Sequence, residues 1–255
     1  MNFSAEIPFS KIFLYFDSRI DNIKSESLKK FLERKTGCEV LVEKDFLKKM
    51  NEKGLAKKIA KTKVRNKRKR EFKEPLPKEV EIEKKVIENN KDLLGIIYDA
   101  PRLVQLFREL LSQEEKEEHT VIITKRLIGS LESNESRYHI RSVINSIPSI
   151  ISLSGIVEGP AKPREYYFAD EDEKEDILDF EPMKHSDRRM ESAVKSYLLQ
   201  TIFWRLEGYP FCDKEDCALK NSHWQKDVIQ NQVQGELCEE HSRRLEQFKE
   251  NNLTQ

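Results

Sequence analysis

Lys11-Ile12-Phe13-Leu14-Tyr15-Phe16, then Leu28, Phe31 and Leu32 at helical spacing within 25–34, then Cys38-Glu39-Val40-Leu41-Val42: this stretch decides the fold class. The first hexapeptide is a near-continuous apolar and aromatic run, the pattern of a strand covered on both faces. Gly37 follows the helical segment, where a residue free to turn left-handed caps a helix C-terminus. Strand, helix and strand in that order read as β-α-β, which specifies an α/β (α+β) domain with a mixed sheet and flanking helices.

Residues 57–73 interrupt this pattern. Ten are basic (Lys57, Lys58, Lys61, Lys63, Arg65, Lys67, Arg68, Lys69, Arg70, Lys73) and one is acidic, Glu71, a local net of +9. Pro75 and Pro77 follow. The region 45–90 therefore reads as a basic insertion or linker, helical through Phe46, Leu47 and Met50 and disordered beyond. Lys57 to Arg70 would serve nucleic acid by neutralising phosphates, although Phe72 is the one aromatic interleaved for stacking.

Order resumes in 91–185. Leu93-Leu94-Gly95-Ile96-Ile97-Tyr98 reads as a strand, and 101–111 as a helix with Leu103, Leu106, Phe107 and Leu110 on one face. Further strands are expected at 120–124, 138–144 and 149–154, with a turn at 145–148. The loop 159–167 offers Lys162, Arg164, Tyr166 and Tyr167 for recognition or for plain packing. Residues 170–181 hold eight acids against one Lys and read as a solvated loop able to dock the basic run. Residues 186–255 open with a long helix capped by Ser186 or Asp187, striped by Ala193, Val194, Tyr197, Leu198, Ile202 and Leu206, and ended by Gly208 and Pro210. Leu245 and Phe248 mark a last helix. With 1–44 as the β-α-β part, the chain divides into four regions.

The chemistry concentrates after that long helix. Cys212 and Cys217 are spaced C-x4-C, and Cys238 and His241 follow as C-x2-H. Two short-spaced soft-ligand pairs are what a closed tetrahedral site needs, so one structural Zn2+ on a C-terminal knuckle is expected. His223 is the rival fourth ligand. Cys38 reads as an inert core thiol. His119, His139 and His185 are isolated, which suits a surface or hydrogen-bonded role; the alternative is a second metal site built from His139 or His185 with nearby carboxylates. Glu191 and Glu207 on the long helix lack a His at i,i+4 and read as solvated.

Composition bounds the rest. The chain has 255 residues, 37% hydrophobic and 36% charged, with net charge +0. That length allows one large or two small domains, and neutrality gives no whole-molecule attraction to nucleic acid or membrane. No apolar run of about 18 residues predicts a membrane span. The first sixteen residues lack the basic region and cleavage site of a secretory leader. Four cysteines, three at metal spacing, suit a reducing cytoplasm.

The stretch from Thr201 to Cys217 resembles the archaemetzincin signature, HExxHxxGxxH on a helix followed by C-x4-C and a later cysteine pair. Gly208 falls at the motif glycine, Cys212 and Cys217 at the first pair, and Cys238 and His241 at the later pair, His241 replacing a cysteine. The catalytic half departs from the motif: Thr201, Ile202, Arg205 and Phe211 occupy the His, Glu, His and His positions, and Leu219 that of the Met-turn methionine. Ser149 to Tyr167 and Asn221-Ser-His-Trp-Gln225 are similar to a group of archaeal proteins classed as metallopeptidases. The resemblance implies a metzincin-like scaffold. A catalytic zinc needs about three protein ligands, an open position and a carboxylate base. Thr, Arg and Phe bring no imidazole, and Ile202 takes no proton. The expected function is thus a zinc-binding pseudoenzyme that engages a protein or peptide partner as a binding or scaffolding module. The alternatives are a peptidase with a non-standard site, or a nucleic-acid-associated protein.

Overall fold

The first strand, interior to its sheet, explains the layering. In β1 (Lys11–Phe16), Ile12, Leu14 and Phe16 enter one core and Phe13 and Tyr15 the other, as the strand's two-residue period dictates. The computed structural model describes residues 8–18, 20, 22–50, 52–71, 73–89, 95–170 and 173–254.

The chain continues through α1 (Ser25–Thr36) into β2 (Glu39–Glu43). Gly37 (φ 70°) ends α1, its N–H returning to the carbonyl of Glu33. Three helices follow, α2 (Phe46–Met50), α3 (Leu55–Ala60) and α4 (Pro77–Asn89). Then come β3 (Ile97–Asp99), α5 (Ala100–Leu110), α6 (Gln113–Glu117) and β4 (His119–Thr124). Asp99 caps α5 by accepting from the Arg102 N–H. Next are β5 (Leu127–Ser130), β6 (His139–Arg141), β7 (Val143–Ile144), β8 (Ser149–Ser152) and α7 (Leu153–Glu158). After a 3-10 turn (Arg164–Tyr167) come α8 (Lys174–Ile177) and α9 (Met190–Glu207). Last are α10 (Gln225–Asp227), a π-helical turn (Val228–Val233) and α11 (Glu239–Leu253).

Both sheets are mixed, and helices flank them, as the β-α-β start requires. The larger has the order β2-β1-β4-β8-β7, parallel except for its edge strand β7. The smaller runs β3-β5-β6, with β3 parallel and β6 antiparallel to β5. β1 is an interior strand: Ile12 pairs with Val40 on one side and His119 on the other. One core joins the sheet to α1, α9 and α11, and the second joins it to α2, α3 and α5.

The basic insertion departs from expectation. Leu55, Ala56, Ile59 and Ala60 of α3 are buried, and Leu55 and Ile59 belong to the second core. Thr62 and Lys63 are buried as well. The run's charge is met nearby: Lys57 and Lys61 pair with Glu74, Lys58 with Glu52, Arg65 with Glu79, and Lys69 and Lys73 with Glu71. Lys63 goes deepest, 2.8 Å from Glu83 of α4. Glu83 also lies 3.2 Å from Arg126, which pairs in turn with Asp17 at the end of β1. All four of these charges are buried. Composition predicted disorder because it counts charge without seeing where the opposite charge comes from.

Smaller differences have local causes. The expected strand 149–154 stops at Ser152, whose hydroxyl accepts from the Gly155 N–H and starts α7. The expected strand 138–144 splits between the two sheets as β6 and β7. α9 begins at Met190 rather than at Ser186, because Asp187 forms a turn and engages the Arg189 guanidinium instead of capping. In the acidic stretch Lys174–Ile177 is a short helix, and Asp179 pairs with Lys226. Residues 93–94 of the expected strand, Phe72 and residues 171–172 of the acidic stretch lie outside the described residues. Among the described residues no helix is long and apolar enough to cross a membrane.

Candidate metal centre

Gly208 (φ 74°) ends α9 with its N–H on the Trp204 carbonyl and turns the chain out of the helix. The next segment folds back on itself. The Cys212 N–H reaches the Leu219 carbonyl at 3.1 Å, and the Lys220 N–H the Cys217 carbonyl at 2.8 Å, so the C-x4-C pair sits on one tight loop. The Ala218 N–H bonds the Glu236 carbonyl at 2.9 Å and brings the second pair alongside. Cys238 is the N-cap residue of α11 and His241 lies in its first turn, so the C-x2-H spacing places both on one side of that turn.

The four donor atoms of Cys212, Cys217, Cys238 and His241 all lie within 4.8 Å of one another. Cys212 Sγ is 3.9 Å from Cys238 Sγ, and His241 Nδ1 is 4.0 Å from Cys217 Sγ and 3.1 Å from Cys238 Sγ. A tetrahedral zinc with bonds of about 2.3 Å to sulfur sets its sulfurs roughly 3.8 Å apart, so this donor set fits that ion. Cys212, Cys217 and His241 are buried, and Phe203 packs edge-on against the His241 ring at 4.9 Å. Burial resists ionisation of Cys238, but hydrogen bonds from the backbone and ring of His241 outweigh it and bring the thiol down to about 7. Burial, reinforced by the neighbouring thiols, pushes Cys212 up to about 11. One sulfur is thus readily ionised beside a second, Cys212, that prefers to keep its proton, and a cation at the centre would favour the thiolate form.

The rival ligand His223 is exposed and stands apart from this cluster. Gln232, in the π-helical turn, escaped the sequence reading. Its buried side-chain amide donates to the carbonyls of Ala218 (3.2 Å) and Lys220 (2.8 Å), while its backbone carbonyl accepts from the Ser196 hydroxyl of α9 at 2.8 Å. It fastens the Cys217 loop to the long helix. Nothing in the spacing of the cysteines points to it.

The helix face upstream is differently built. Thr201 is fully buried; its hydroxyl donates to the Leu198 carbonyl at 2.8 Å and lies 3.1 Å from His119 Nε2. With the Thr201 proton so committed, His119 Nε2 is the donor of that contact. His119 stacks on Phe9 at 4.9 Å. Burial, assisted by the Arg205 charge, drives its pKa down to about 3, so it stands neutral. Ile202 is wholly buried, and Arg205 Nη2 donates to the Glu117 carbonyl at 2.5 Å. Phe211 packs edge-on against Tyr209. These four positions are occupied by packing and internal hydrogen bonds. His139 lies 3.6 Å from Glu135 and His185 3.4 Å from Glu158, one imidazole with one carboxylate in each case. Among the described residues the Cys3His cluster is the one group of three or more such side chains that converges.

Two solved structures are similar to the chain. Archaemetzincin (amzA) from Methanopyrus kandleri is 11% identical with a TM-score of 0.47, the match covering 99% of each chain. A zinc-dependent peptidase from Methanocorpusculum labreanum (strain Z) is 12% identical with a TM-score of 0.47, covering 92% of this chain and 99% of that one. No curated protein matches. The model of the Probable metallopeptidase family (DUF6775) matches residues 8–248.

Proposed function

The chain belongs to this probable metallopeptidase family, and from that premise we propose that it binds one structural zinc ion through Cys212, Cys217, Cys238 and His241 and works as a binding or scaffolding module without conventional metzincin hydrolysis. The observation that carries the reading is the contrast between two neighbouring places. Four soft donors meet within 4.8 Å beside the end of α9. A tetrahedral ion held by all four has no open position for water or substrate, which is the arrangement of a structural site. On α9 itself, Thr201 and Ile202 are buried and Arg205 spends its guanidinium on a backbone carbonyl. A fixed cation and an aliphatic side chain supply neither ligand nor base.

Zinc held there contributes folding energy, since the loop at 212–220 and the start of α11 are brought together at the cluster and at the neighbouring backbone bonds. The expected metal content of the purified protein, by elemental mass spectrometry, is one zinc per chain. Cys217→Ser should reduce it towards zero and expose the 212–241 segment to proteolysis. Peptide libraries should show no chelator-sensitive cleavage. Two zinc ions per chain, or a hydrolysis abolished by chelation and by Arg205→Ala, would overturn the reading in favour of a peptidase with a non-standard site. The nucleic-acid alternative loses ground because the cations of the basic run that pair locally are met by Glu52, Glu71, Glu74, Glu79 and Glu83. Only interactions left over from such pairing would release counterions on a polyanion.

A further inference from the structure

A cavity of about 420 Å³ opens where β1 and β2 end and α1 begins. Ser18 follows β1, Ser25 opens α1, and Lys44 and Asp45 follow β2; all four line it. The carboxyl ends of parallel strands are where open α/β sheets hold ligands, because side chains from several elements converge there. We propose that this cavity binds a polyhydroxylated ligand, a sugar or the ribose of a nucleoside, through the side-chain oxygens of Ser18, Ser25 and Asp45. Ser25 carries the argument. It is 5% exposed, yet no described residue engages its hydroxyl, which opens on the cavity. A hydroxyl withdrawn from bulk water without a partner is costly, so its partner comes from outside the chain. Asp45 is an independent oddity. It stands at φ 56°, the one non-glycine residue at positive φ among the described residues. Left-handed backbone strains an L-residue, and such strain is retained where function uses it. The Asp45 backbone carbonyl accepts from Lys48 and Lys49 at the start of α2, but no described residue engages its carboxylate. Oδ1 is sealed inside the protein, so Oδ2 is the oxygen presented to a ligand.

Hydrogen-bonding capacity selects the ligand. Ser18 donates its proton to Asp17 Oδ1 at 3.0 Å, so towards the cavity it can only accept. Asp45 accepts as well, and Ser25 both donates and accepts. A wall so rich in acceptors suits a ligand that brings several O–H donors. A phosphate or carboxylate brings acceptors alone and meets the Asp45 charge. An ammonium ion matches the acceptors but enters beside Lys44, which is exposed and has no carboxylate partner among the described residues. Neighbouring hydroxyls carry no charge, and each can donate to one wall oxygen while another accepts from Ser25. Phe16, Ile20 and Ile23 supply an apolar flank for the C–H face of a sugar ring or for a base. The volume lies inside the roughly 300–1,000 Å³ of small-molecule sites. The site does not depend on the zinc assignment, since none of its argued contacts passes through the metal cluster.

The test is ligand-observed NMR on the full chain with adenosine, 2′,3′-dideoxyadenosine and D-ribose. Adenosine should bind about tenfold tighter than the dideoxy analogue, which keeps the base and lacks the two hydroxyls. Binding of ribose marks a free sugar as sufficient, and binding of adenosine without ribose marks a nucleoside. Ser25→Ala should leave thermal unfolding unchanged, because that hydroxyl holds nothing in the fold, and should abolish the preference for adenosine. Asp45→Gly should be at least as stable as the parent, because glycine adopts φ 56° without strain, and should abolish the preference too. Equal binding of adenosine and its dideoxy analogue, or a preference that survives both substitutions, overturns the proposal. So does a melting temperature lowered by both, which would return the two side chains to the fold. No binding of adenosine or ribose at about 10 mM, water alone then serving Ser25, overturns it as well.

Discussion

His119 carries the clearest consequence at the scale of single residues. It is neutral and buried in the fold, with a pKa near 3 against an ordinary value of 6.5. Between those values the unfolded chain takes up a proton that the fold refuses, so stability must fall as pH drops below 6.5. One such group loses on the order of 2 kcal/mol between pH 7 and pH 5. The depressed carboxylates, Glu83 and Glu115 among them, start from 4.5 and contribute only at lower pH. Urea unfolding should therefore show a sloping limb across pH 7 to 5 that His119→Gln flattens; an unchanged slope in that variant would refute the assignment. Sequence could not supply this pairing, since Thr201 and His119 stand 82 residues apart and His119 belongs to no motif. The cysteines were legible for the opposite reason: each pair sits within one turn, so spacing alone carries the geometry.

Among the elements, α9 was legible because apolar side chains at helical spacing have one good solution, burial. Its end was legible through Gly208, which adopts φ 74° with open space where a Cβ would go. Gly208→Ala should therefore cost only the left-handed backbone penalty, about 1 kcal/mol, and Gly208→Asn less, both read by chemical denaturation. A loss of several kcal/mol would mean a contact the structure does not contain. The start of α9 was not legible, because Asp187 suits a cap and a turn equally and the choice fell to Arg189. β5, with only Leu127-Ile128-Gly129-Ser130, is too short for periodicity to register and exists through pairing with β3 and β6. The β-α-β unit succeeded where these failed, since both faces of β1 are apolar and no alternative element hides them.

For the molecule as a whole, the decisive misreading was the insertion. Its cations draw partners from α4, from the stretch before it and from strand ends on both sheets, so no window of sequence holds the balance. Glu83 is the hinge of that arrangement, touching Lys63, Arg126 and the Tyr98 hydroxyl, the last at 2.5 Å. Removing one partner of a buried ionic group typically costs about 3–5 kcal/mol. Glu83→Ala should lose about that much, and added salt should change the loss little, because buried pairs are weakly screened. A deletion of 46–89 should fail to fold, against the tolerance that a solvated linker would show; an unaltered melting temperature in the deletion would restore the linker reading. The register of the central sheet also sets a clock. Ile12 must find His119 107 positions further along the chain, and the helices between them have to be placed on both faces, α1 on one and α2, α3 and α5 on the other, as β1 is sealed between its neighbours. Closing so long a loop is an entropic toll collected before any reward arrives, and parallel pairing of this kind makes for slow, late assembly. Until β4 docks, one flank of β1 presents unpaired backbone and apolar side chains, the kind of edge through which nascent chains can associate.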